Sequence, residues 1–127
     1  MKGIELLEKY PDAAKVISEF YNNKLIESID AEEITEEFKE MIKSQQFDNQ
    51  YVATFIDNNP RFLFDVFDAN EVMISVKYGV DGFTWHITQL PFSEIKDTTV
   101  YTFRKEAEVA AIEKAFEILN DKLCQTK

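Results

Sequence analysis

The sequence predicts an α+β fold, with a helical N-terminal layer packed against a three-stranded antiparallel sheet and a long C-terminal helix. Three observations carry this. Apolar residues fall at every second position in Val72, Ile74, Val76 and Tyr78, and strand periodicity returns at Phe83, Trp85 and Ile87. From Arg104 the period becomes helical, with Ala107, Ala111, Ile112, Ala115, Phe116, Ile118, Leu119 and Leu123 on one arc. Before residue 70, Pro11 and Pro60 each stand where an apolar pattern of helical character begins.

Taken in order, Gly3 to Lys9 reads as a short helical segment with Ile4, Leu7 and Leu6 on its apolar side. Pro11 suits the first position of a helix, and Ala13, Ala14, Ile17, Phe20, Tyr21 and Leu25 supply a face reaching about Ile29. Asp30 and Glu33 form a capping-box variant ahead of Ile34, Phe38, Met41 and Ile42, which predicts another helix. Asp48 is placed to cap a short helix through Tyr51, Val52, Phe55 and Ile56 that ends at Asn58-Asn59. The dense run Phe62, Leu63, Phe64, Val66, Phe67 has no clear period. Pro60 before it and Asp68 to Asn70 after it favour a helix over a buried strand.

Gly79-Val80-Asp81-Gly82 joins the two alternating runs as a hairpin, with two glycines able to take positive φ. Pro91 and the polar Ser93, Lys96, Asp97 and Thr98 are expected to interrupt the sheet, and Val100 to Phe103 to resume it. Thr102 is then placed to cap the last helix. Trp85, Ile87, Ile112, Phe116 and Leu119 are expected to share a core. With 127 residues, 45% of them hydrophobic, and no repeat or low-complexity tract, one compact domain is expected over 1–127, helical to about residue 70 and sheet plus closing helix over about 71–124.

The net charge of −10 is uneven: residues 1–70 hold 7 basic and 15 acidic side chains, against 7 and 9 in residues 71–127. Glu32, Glu33, Glu36, Glu37 and Glu40 concentrate it on the helix after Asp30, with only Lys39 and Lys43 as offset. Such a field repels phosphate and anionic lipid, and favours a basic protein surface. No apolar run approaches the roughly 20 residues that cross a bilayer, and the opening MKGIELLEKYPD has charges where a signal peptide needs an apolar centre. One cysteine, Cys124, fits a reducing compartment, so a cytoplasmic location is expected.

Chemistry-bearing motifs are sparse. His86 is the only histidine, so a His-based acid or base would have to be this residue. With Trp85 facing inward, His86 faces the other side of the sheet and reads as a structural or surface histidine, the alternative being a pocket near Trp85, His86 and Tyr101. Cys124 stands near a helix C-terminus, whose dipole opposes thiolate formation. Carboxylate pairs such as Asp65/Asp68 and Glu33/Glu37 are frequent enough to read as solvated faces. There is no calcium loop, P-loop, dinucleotide fingerprint or G-x-S-x-G elbow, and no metal or cofactor is expected.

The order helix, three strands, helix, with Arg104-Lys105-Glu106-Ala107 opening an alanine-rich stretch, resembles a double-stranded-RNA-binding domain over less than half of the chain. That resemblance implies a phosphate-gripping cluster opening the last helix. Here Glu106 and Glu108 interrupt it, so direct nucleic-acid binding is not expected. In size and acidity the chain also resembles accessory proteins of bacteriophages and mobile elements, including inhibitors of host defence nucleases. That resemblance implies a regulatory protein occupying the basic groove of a nucleic-acid-binding partner. Two other readings stay open. One is a self-associating module or homodimer, should Phe62, Phe64, Phe67 or Phe92 fail to fit inside; the other is a small-ligand binder or enzyme at the Trp85/His86 pocket.

Overall fold

The computed structural model describes residues 2–30, 49–89, 93–96 and 99–125. The helix expected after Asp30, with Ile34, Phe38, Met41 and Ile42, lies outside them, as do Asp48 and Phe92. The fold is α+β. Among the described residues there are five helices, α1 (Gly3–Lys9), α2 (Pro11–Asp30), α3 (Asn49–Asn58), α4 (Arg61–Ala69) and α5 (Arg104–Gln125). The strands β1 (Val72–Gly79), β2 (Gly82–Gln89) and β3 (Ser93–Lys96) form one antiparallel sheet in that order.

Both prolines act as helix starters. Pro11 is the first residue of α2, where its missing N–H costs nothing. Pro60, at φ −61° and ψ −23°, is pre-set for the helical turn that begins at Arg61. The dense apolar run is therefore α4 and not a buried strand, and it buries Phe62, Leu63, Val66 and Phe67 on one side.

α4 ends on a left-handed residue. Glu71 has φ 65°, which suits glycine better than an L-residue, and the surroundings hold it there. Its N–H donates to Asp68 O at 3.1 Å, while Lys122 Nζ donates to Asn70 O at 2.9 Å and lies 3.6 Å from Glu71 Oε2. The helix-to-sheet corner is thus bound to the C-terminal half of α5.

In the hairpin Val72 faces Gln89, Ile74 faces Ile87 and Val76 faces Trp85. Paired residues share a face, so Val72, Ile74, Val76, Trp85 and Ile87 turn toward the helices, and Ser75 and His86 turn away. Only Gly82 among the hairpin residues takes positive φ, at 139°. Gly79, expected to do the same, does not. Space is the second demand on Gly82: a Cβ there would stand 2.5 Å from Tyr101 O and 2.9 Å from Val100 Cγ1.

The third strand is not where the alternation placed it. Ser93–Lys96 pairs with β2, Ile87 facing Ile95 and His86 facing Lys96. Val100 to Phe103 contributes one isolated bridge, Phe83 to Tyr101, closed by two backbone hydrogen bonds of 2.8 Å. Had β3 continued in register, Phe83 would face Thr99, so two extra residues are accommodated before Tyr101. The start of α5 shifts as well. With Arg104 as its first residue, Phe103 takes the cap position in place of Thr102, and its N–H donates to Glu106 Oε1 at 3.2 Å, the reciprocal half of a capping box.

α4 packs on β1, and α5 lies across β1 and β2. Ala107, Ala111 and Ala115 are buried without bulk, which lets α5 approach the strands, while Ile112, Phe116 and Leu119 fill the space beyond. One cluster joins Leu7, Ile17, Ile56, Leu63, Phe67, Trp85, Ile87 and Phe116, and Phe67 meets Phe116 edge-on at 5.5 Å. Each such side chain, removed from water, stabilises by about 1.5–3 kcal/mol before the entropy of ordering it is subtracted. The residues expected to share a core do so.

Candidate functional site

Charge and apolarity are sorted between surface and core. Among the described residues no polar or charged side chain is buried, and no group of three His, Cys, Asp or Glu side chains is close enough to hold a metal ion. Among them, no helix is long and apolar enough to cross a membrane. The acidic residues singled out above, Glu32, Glu33, Glu36, Glu37 and Glu40, lie outside the described residues. Among the described carboxylates of α2 to α4, Glu19, Glu27, Asp57, Asp65 and Asp68 are exposed and Asp12 is half-buried. At the end of α4 the negative field is strong enough to act on its own members. Partial burial first, and then the Asp65 carboxylate, raise the Asp68 pKa above its ordinary 3.8 against the pull of Arg61.

Trp85, His86 and Tyr101 do not converge on one pocket. Trp85 and Tyr101 are on the helix-bearing side, and His86, partly exposed, is on the opposite face between Ser75 and Lys96. Trp85 helps to line a hollow of about 460 Å³ between α1 and α5. Tyr101, Phe103 and Val109 line a second, more open hollow of about 660 Å³, and Ala110 and Glu113 belong to both. Trp85 itself is 6% exposed, and its Nε1 is buried without a hydrogen-bond partner. Such groups are rare in folded proteins because an unmade hydrogen bond is costly.

Two surfaces escaped the sequence reading. Phe62 and Phe67, considered for self-association, are buried and Phe64 is half-buried. The large exposed apolar residues are instead Tyr51, Tyr78, Val80, Val100 and Phe103, four of them near the hairpin turn and the start of α5. The Tyr78 and Phe83 rings meet at a tilt of 50° with centroids 5.0 Å apart, and Arg104 lies 5.5 Å from the Phe83 ring. Cys124 donates its thiol hydrogen to Asp12 Oδ2 at 2.9 Å beside the start of α2. Comparison with protein-family models, curated proteins and solved structures finds no match to this chain.

Proposed function

We propose that this chain is a non-enzymatic binding and regulatory protein of a reducing, cytoplasmic compartment, and that an acidic helical surface centred on Glu32, Glu33, Glu36, Glu37 and Glu40 engages a basic protein surface. The partner is a nucleic-acid-binding protein, whose phosphate-binding groove the carboxylates occupy in competition with nucleic acid. The carrying observation is the distribution of charge: 15 acidic against 7 basic side chains in residues 1–70, with Glu19, Glu27, Asp57, Asp65 and Asp68 exposed. The resemblance in size and acidity to accessory inhibitors of phages and mobile elements supports the same reading.

The test is affinity capture from the native host at low and high salt, with the wild-type chain and a Glu33→Lys, Glu36→Lys, Glu37→Lys, Glu40→Lys variant of unchanged circular dichroism. The wild type captures a basic partner that is released by salt or by added nucleic acid, and the variant does not. Capture that is equal with both proteins, or that persists in high salt, overturns the reading.

A further inference from the structure

We propose that the hollow between α1 and α5 binds a small zwitterion with an apolar body, of which a free α-amino acid with a bulky aliphatic side chain is the simplest. Its lining is built from described residues, none of them among residues 32–40. Its volume of about 460 Å³ falls among those of small-molecule sites. Leu6, Tyr10, Trp85 and Ala110 supply an apolar and aromatic lining.

The charged rim selects the ligand. α1 brings Lys9 to it, with Lys2 just before the helix and Glu5 within, and α5 brings Glu113, Lys114 and Glu117. Some of this charge is already engaged. Lys114 Nζ is bonded to Glu117 Oε2 at 3.1 Å, and Lys9 Nζ lies 5.4 Å from the centre of the Tyr10 ring. The side chains of Lys2, Glu5 and Glu113 have no such partner among the described residues. Left without an opposite charge among the described residues are the ammoniums of Lys2 and Lys9 and a carboxylate on each wall.

Neither a simple anion nor a simple cation satisfies that set. An anion meets two free carboxylates, and a cation leaves Lys2 and Lys9 without an acceptor. A molecule with an ammonium and a carboxylate a few bonds apart matches both: its ammonium is held by Glu5 and Glu113, its carboxylate by Lys2, and its side chain lies against Leu6, Tyr10 and Ala110.

Trp85 is the only tryptophan, so the emission of the intact chain reports this hollow directly. The probes are L-leucine, isopentylamine with the ammonium alone, and 4-methylpentanoate with the carboxylate alone, none of which fluoresces. Leucine produces a saturable change in Trp85 emission in the millimolar range or below, and each half-molecule binds at least about tenfold more weakly. Glu113→Gln and Lys2→Met, both at exposed positions, each weaken leucine binding by about tenfold, whereas Glu94→Gln on the far face of the sheet leaves it unchanged. No saturable response to leucine, equal binding of either half-molecule, or indifference to both variants overturns the proposal.

Discussion

Asp68 shows how a single side chain can oppose the fold that holds it. It stands in the last turn of α4, where the helix dipole already disfavours negative charge, and both partial burial and Asp65 push its pKa up. A carboxyl with a raised folded-state pKa binds its proton more tightly folded than unfolded. Stability therefore falls as pH rises from 3.8 through the folded value, and the loss persists at neutral pH. Asp68→Asn removes that loss. Its melting temperature should exceed the wild type's at pH 7, with the gap closing as pH falls below 3.8. A gap that is constant with pH would mean that the side chain acts through packing and not through its charge.

At the scale of elements, α2 depends on a residue far along the chain. Pro11 has no N–H, and the next two amides, Asp12 and Ala13, donate to the same oxygen, Asn120 Oδ1 on α5, at 2.9 and 3.1 Å. These are donors that a side chain before the helix normally satisfies. Asn120→Ala should destabilise the protein by about 1–2 kcal/mol, the ordinary worth of a cap, and speed hydrogen exchange at Asp12 and Ala13 more than in the middle of α2. Chemical denaturation and exchange measured by NMR check both. The sequence could not announce this bond: Asn120 lies among Glu113, Glu117 and Asp121 on what periodicity marks as the solvent side of α5. Helices, hairpin and core were legible because each is written in local spacing. β3 was not, since Ser93–Lys96 offers one apolar residue, Ile95, and draws its strand character from pairing with β2. Val100 to Phe103 has stronger strand propensity, yet the two extra residues before Tyr101 reduce it to one bridge.

For the whole molecule, the net charge of −10 is a repulsive field with few internal offsets. The ion pairs among the described residues are at the surface, from 3.1 to 3.9 Å, and each contributes little. Raising sodium chloride from low to moderate concentration should therefore raise the melting temperature by about a few degrees, as screening weakens repulsion more than it weakens those pairs. A melting temperature that falls with salt would assign net stabilisation to the ion pairs. The candidate site was legible only in part. Trp85 was marked by its strand, but the hollow beside it needs α1, β2 and α5 together, and no local spacing reports that residues 2 and 113 line one hollow. His86, the most conspicuous chemical residue in the sequence, turns to the other face because a strand alternates.

The oxygen of Asn120 also has a place in time. On a chain made from its N-terminus, the first turn of α2 is synthesised 108 residues before the side chain that caps it. Lys122, which binds the corner after α4, comes later still. α2 and the corner after α4 therefore leave the ribosome with one end open and one corner untied, and they close only when α5 arrives, so elements made early are secured late.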